Sequence, residues 1–253
     1  TIELIVQTHF HADFLSGHLE LAEATGAAIA YGSVATTDFA SRSLADHEVV
    51  GLGRTEIEVR HTPGHTPESI SLVVRPEAGA APVAVLTGDT LFIGDVGRPD
   101  LLVSVGVTAD DLGRKLYRSV HELLELPDST LVLPAHGAGS ACGKALSTET
   151  VSTIGEQRRT NYAVQPMSEA AFVELVTEDQ PAAPAYFIHA ATLNHQERPL
   201  LHEGERVRAI ELGALDAAVA DGAVVVDLRP VEDFAGGHLA GSLNVGLGGR
   251  FAE

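Results

Sequence analysis

Short apolar runs alternate with helical repeats along the chain. Ile2–Gln7 (IELIVQ) is a near-continuous apolar run of strand length. Ser16–Gly26 predicts a helix with a Ser cap and a closing Gly. Thr55–His61 (TEIEVRH) alternates with period two, as a half-buried strand does. Ser69–Val74 and Val83–Asp89 predict further strands, and the EAGAAP stretch between them has turn composition. Thr108–Leu126 is the clearest helix, with Thr108 as its cap and acids in its first turn. Ser129–Gly137 predicts a strand running into a loop. Ser147–Asn161 and Ser168–Glu178 predict two more helices, and Gln180–Ala185 is a Pro-rich break. After about Val207 the pattern restarts: a helix over Glu211–Gly222, a buried parallel-type strand over Ala223–Arg229, then helix, turn and short strand to Val245.

A chain of 253 residues has room for one large domain or one and a fraction. Domains are expected over 1–205 and 206–253, the second cut short. Thr1 opens directly onto a strand, so a preceding segment is expected. No apolar run reaches the length of a membrane span, and no secretion signal is visible. The net charge of −19 argues against a nucleic-acid partner. Cys142 is the single cysteine. It forms no internal disulfide and suits a reducing, cytoplasmic setting. A metal in this chain must be held by His, Asp or Glu.

Mapping polar residues onto the elements brings out one pattern. His9 and His11 follow the first strand, in THFHADF (Thr8–Phe14). His65 follows Thr55–His61 in TPGHT, Asp89 ends the TGD strand, and His136 lies in PAHG. Strand-end loops on one sheet edge converge on one place. Gly64, Gly88 and Gly137, with Pro63 and Pro134, flank these positions and permit tight turns. His18 and His121 fall within helices. His47, His61, His189, His195 and His202 have no motif around them.

THFHAD, TPGHT, TGDTLF and PAHG, in this order, resemble the metal-binding motifs of the metallo-β-lactamase superfamily over about Thr1–Leu201. The resemblance implies an α/β fold, an αββα sandwich here incomplete at its N-terminus, with a metal site at one sheet edge. Asp89–Leu101 (DTLFIGDVGRPDL), with its GR-x-D element, and VSTIGEQRRTN after PAHG look like the glutathione-persulfide dioxygenase branch. The tail Val224–Val245 resembles the front half of a rhodanese-like α/β domain, through DLR, the EDF helix and GHLAGSLN.

The superfamily's usual form is HxHxDH, and here its final position is Phe14. Loss of that donor weakens a second metal site. Two imidazoles and one carboxylate suit non-haem Fe(II) and leave coordination positions open. The resemblance implies His9, His65 and Asp89 as that triad, one iron per chain. His11 and His136 are then outer groups, and Asp13 orients a ligand imidazole. The residues alone also allow His9, His11 and His65 around one Zn(II).

The implied reaction takes a small-molecule thiol persulfide, O2 and water to sulfite and thiol. Phe14 would help keep the cavity dry. Arg98 is expected either to pair with Asp100 or to hold the carrier's carboxylate. A zinc-dependent thioester hydrolase of the glyoxalase II kind is the alternative. The resemblance further implies a homo-oligomer. Cys142 reads as a small packing residue. Asp227 and Arg229 read as framework residues, and no cysteine follows Cys142 to carry sulfur transfer.

Overall fold

The structure, a computed structural model, describes residues 1–101, 106–137, 140–144, 147–180, 182–201 and 209–248. The chain divides into two compact units, Thr1–Leu200 and Leu201–Glu253. The expected boundary at 205/206, like His202, lies outside the described residues.

The first unit holds two sheets. β1 (Leu4–Val6), β2 (Ala28–Gly32) and β3 (Arg42–Leu44) are parallel, with Leu4 opposite Ala28 and Ala30 opposite Arg42. The larger sheet runs in order β4 (Val49–Leu52), β5 (Thr55–His61), β6 (Ile70–Arg75), β7 (Ala84–Gly88), β8 (Leu131–Pro134), β9 (Ser152–Thr153). Its strands are antiparallel except for the β7–β8 pair.

Three apolar clusters stack these elements into layers. Ile5, Ile29 and Tyr31 on the smaller sheet pack with Leu19 and Ala22 of helix α1 (His18–Thr25). Ala30, Leu44, Val59, Ile70 and Leu72 join the two sheets. Val73, Val85 and Val132 on the far face of the larger sheet meet Leu116, Val120 and Leu123 of α2 (Ala109–Leu123) and Phe172 and Val176 of α4 (Glu169–Thr177). The result is helix, sheet, sheet, helix, held by burial of apolar area on both faces of each sheet.

Thr55–His61 forms as predicted, and Thr108 caps α2 by accepting from the Asp111 N–H at 3.1 Å. Ser168 caps α4 in the same way. Other predictions need correction. Only the second half of Ser147–Asn161 is helical, as α3 (Ile154–Thr160), because Ser152 and Thr153 pair with β8. Ser16 does not cap α1; Gly17 is the N-cap and no side chain serves it. The Ser16 backbone is held elsewhere, its N–H by Asn194 Oδ1 and its carbonyl by Arg198. Gly26 closes the helix in the left-handed conformation, as predicted.

His18, the first residue of α1, is buried, its ring 5.2 Å from that of Phe39. Burial and the nearby Arg198 charge push its pKa down to about 4. An unfolded imidazole titrates near ~6.5. Below that pH the unfolded chain takes up a proton that the folded chain refuses. Stability is therefore expected to fall as pH drops from about 6.5 to about 4, by on the order of 3 kcal/mol from this group. Urea unfolding of metal-free His18→Gln protein should lose stability less steeply over that window. Parallel slopes for the two proteins would refute this.

The second unit contains α6 (Leu212–Ala220), β10 (Val226–Asp227), α7 (Val231–Gly236) and β11 (Leu243–Asn244), with β10 and β11 parallel. The strand expected over Ala223–Arg229 is only two residues long. Asp227 and Arg229 pair at 2.6 Å at its end, and Asn244 Nδ2 donates to the carbonyls of both.

Candidate metal centre

Four strand ends of the first unit deliver the motif residues to one place. The loop after β1 is pinned where Ile70 N–H donates to the Thr8 carbonyl at 2.9 Å. Gly88, at φ 52°, ends β7 so close to Thr8 that a Cβ there would stand 2.9 Å from Thr8 Cβ. The TPGHT loop lies on α2: a Cβ on Gly64 would stand 2.4 Å from Leu116 Cβ, and Ser119 donates to the Pro63 carbonyl. Both glycines are required by contact and by backbone sign. Gly137 is not; among the described residues nothing lies within 4 Å of a Cβ placed there.

Asp89 sits at the middle, 1% exposed. Its Oδ2 lies 3.7 Å from His9 Nε2, 3.4 Å from His65 Nε2 and 3.3 Å from His136 Nε2. Each inner imidazole is held from behind. Thr8 Oγ1 lies 2.9 Å from His9 Nδ1, and His65 Nδ1 lies 3.0 Å from the Arg98 carbonyl, which points both Nε2 atoms inward. His9, His65 and Asp89 bring one donor atom each within 4.8 Å of one another. His11, the third imidazole of the all-histidine alternative, instead groups with Asp13 and His136. In that second group Asp13 Oδ2 lies 3.3 Å from His136 Nε2. Phe14 does not dissolve this group. It stacks on His11 at 4.4 Å and is half-exposed.

The electrostatics fit a cation. Burial disfavours the Asp89 carboxylate, but the His9, His136 and His65 rings outweigh burial and hold its pKa well below the usual range. Burial drives His9 and His11 down, so both imidazoles are neutral donors at pH 7. Burial also pulls on His136, yet Asp89 and Asp13 prevail and raise its pKa. Buried His9 Nε2, His11 Nδ1, His136 Nε2, Asp13 Oδ1 and both Asp89 oxygens make no hydrogen bond within the protein. Leaving a buried polar group unsatisfied costs about 1–3 kcal/mol. So many orphans converging on one point are what a metal ion would satisfy.

Arg98 and Cys142 each take a role read for them from sequence and one more beside it. Arg98 is 1% exposed and bidentate on Asp100, at 2.8 and 2.6 Å. This is the ion-pair alternative, and the buried guanidinium presents no open face to a soluble carboxylate. Its backbone works at the site, with the carbonyl on His65 and the N–H donating to the Cys142 carbonyl. Cys142, read as a packing residue, does pack with Phe92, Leu101 and Phe187. It also brings its sulfur within 4.8 Å of donors on Asp89 and His136, with its thiol pKa pushed up by burial. The SACGK sequence carries no signal of that proximity.

A family pattern, that of the metallo-beta-lactamase superfamily, matches residues 1–136. The chain belongs to the metallo-beta-lactamase superfamily. Its sandwich and its edge-sited donors are those the superfamily implies. Among relatives, the mitochondrial persulfide dioxygenase ETHE1 of Bos taurus is 32% identical over 160 residues, 62% of this chain and 54% of that one. A crystal structure of a metallo-beta-lactamase from Staphylococcus aureus matches with TM-score 0.85 and 32% identity, covering 100% of this chain and 72% of that one. ETHE1 from Myxococcus xanthus matches with TM-score 0.64 and 28% identity, over 77% of each chain. The chain spans about half the length of the curated relatives it matches. Among the described residues, no helix is long and apolar enough to cross a membrane.

Proposed function

We propose that this chain carries the catalytic unit of a persulfide dioxygenase, oxidising a low-molecular-weight thiol persulfide to sulfite and free thiol. One observation carries the reading: two buried imidazoles and one buried carboxylate, His9, His65 and Asp89, converge from three strand ends. That donor set suits Fe(II) with open positions. Likeness to a relative named as a persulfide dioxygenase supports it.

A ferrous ion held there supplies redox chemistry with O2 that redox-inert zinc does not. In the overall reaction the S–S bond breaks and the terminal sulfur gives four electrons to one O2. Water supplies the third oxygen of sulfite, and the remaining sulfur leaves as thiol with a proton. Thr8 and the Arg98 carbonyl keep the His9 and His65 donors aimed at the centre. His136, with Nε2 3.3 Å from both Asp89 and Asp13, lies beside the triad where it can pass a proton to the departing thiolate when it is not itself a metal ligand. Asp13 orients His136, and Arg98, tied to Asp100, positions His65. A cavity of about 300 Å3 beside the same loop, lined by Phe10, Ala12, Leu101, Phe187 and Ile188, receives the carrier's non-reacting part. The proposal extends to the second unit as the front of a rhodanese-like domain, and to a cytoplasmic homo-oligomer.

Anaerobic purification, metal analysis and oxygen uptake with glutathione persulfide test the reading. The expected result is one iron per chain and sulfite formed in step with O2 consumed. Zinc as the sole active metal, without oxygen uptake, would sink it. A second reading, a glyoxalase II-like thioester hydrolase, is favoured by the second donor group, His11, Asp13 and His136. Oxygen-independent release of free thiol from a thioester would select it.

A further inference from the structure

The loop carrying His11 and Asp13 is held by a residue nearly two hundred positions downstream. Helix α5 (Phe187–His195) was not visible in the apolar pattern. Its Asn194 is 1% exposed. Asn194 Oδ1 accepts from the Ser16 N–H at 2.8 Å. Asn194 Nδ2 donates to the His11 carbonyl and to the Phe14 carbonyl, both at 2.8 Å. A primary amide has one acceptor oxygen and two N–H groups, and here all are directed into residues 11–16. Arg198, just past the helix, donates from Nη2 to the Ser16 carbonyl at 2.9 Å and is bidentate on Glu20. Both backbone groups of Ser16 are thus held from the far end of the unit.

This loop has no regular secondary structure to satisfy its own backbone, so a buried side chain does it. The carbonyls gripped by Nδ2 flank Asp13, and one belongs to His11 itself. Movement of either carries the second donor group with it. Donor geometry must be held to within about half an ångström to be useful.

We infer that Asn194 is a positioning residue for the His11 and Asp13 donors, with Arg198 fixing the loop where it enters α1. The inference rests on the reading of His11 and Asp13 as ligands or outer partners of the metal centre, not on the reaction performed there. Asparagine is needed as an amide: aspartate keeps the shape and the acceptor for Ser16 but loses both donors and faces two carbonyls with negative charge.

Cobalt(II) serves as the probe, through its visible absorption and its rate of release to a chelator. Asn194→Asp is expected to melt cooperatively when metal-free, to show an altered cobalt spectrum, and to release cobalt faster by about 10–100-fold. Arg198→Lys is expected to show the same changes more weakly. His189→Ala, at an exposed position of the same helix and outside the cavity lining, should alter neither. A folded Asn194→Asp or Arg198→Lys protein with unaltered spectrum and release rate would overturn the assignment. Failure of both to fold would overturn it in favour of a purely structural role. An unaltered chain that binds no cobalt would refute the metal site itself, whereas absence of dioxygenase activity alone leaves the Asn194 role standing.

Discussion

Asp89→Asn protein is expected to lose its metal while keeping its fold. The carboxylate is the shared neighbour of three imidazoles, with Oδ2 at 3.7, 3.4 and 3.3 Å from the Nε2 atoms of His9, His65 and His136. Asparagine preserves volume and removes the charge. Loss of an outer-sphere partner costs metal affinity about 10–100-fold, and loss of a charged donor is expected to exceed that. In the metal-free protein the same change is expected to lower stability, because the neighbouring imidazoles outweigh burial and favour the folded carboxylate. Metal content and metal-free melting temperature therefore both fall. Added Fe(II) should raise the melting temperature of the unaltered chain by mass action and leave that of Asp89→Asn in place. His65→Ala should empty the site likewise. His11→Ala separates the two functional readings, since a single ion on His9, His65 and Asp89 survives it and a paired-ion centre does not. Stoichiometric iron in both Asp89→Asn and His65→Ala would end the assignment of the triad.

The sequence announces the donors more clearly than the scaffold that aims them. HxHxD, TPGHT, TGD and PAHG stand out because strand ends and metal ligands use few residue types. Thr55–His61 and the Thr108 cap are similarly local: a period of two, or one hydroxyl facing one N–H, needs no distant partner. β2 escapes because AIAYG is short and rich in small residues, and its burial comes from α1 and from its parallel neighbours. Helix α5 escapes because its apolar residues follow no clean helical stripe, while its chief contact is a single amide on a loop 180 residues away. Ser16 misleads for the same reason. A serine ahead of a helix reads as a cap, yet its backbone belongs to Asn194 and Arg198. Phe14 is a different case: it removes one donor that the motif usually supplies to a second metal, while His11, Asp13 and His136 still converge beside it.

Gly97→Ala is expected to be the most damaging single-carbon change in the site. After Asp89 the chain turns back on itself: Leu91 bridges Val96, Phe92 N–H donates to the Asp95 carbonyl, and Gly97 comes to lie against the Asp89 backbone. A Cβ on Gly97 would stand 1.8 Å from the Asp89 carbonyl oxygen and 3.1 Å from His65 Cβ. Unlike Gly64 and Gly88, Gly97 is not in a left-handed conformation, so the obstacle is space alone. The atom in the way is backbone and cannot swing aside. Relief requires parting the Gly97 segment from Asp89, which moves one donor directly and a second through the Arg98 carbonyl on His65. A cost above about 4 kcal/mol, the range reserved for severe core disruption, is expected, with little soluble protein and no retained metal. Gly137→Ala is the matched control. It follows His136 just as Gly97 precedes Arg98, but among the described residues a Cβ there meets nothing within 4 Å, so its melting temperature and metal content should equal those of the unaltered chain. The pair isolates contact from motif membership. PAHG advertises its glycine and does not need it for space, whereas the glycine of GR-x-D is where the fold closes on its own ligand. Equal melting temperatures and metal contents for the two variants would show that the Gly97 segment yields, and that the close approach to Asp89 does not set the geometry of the site.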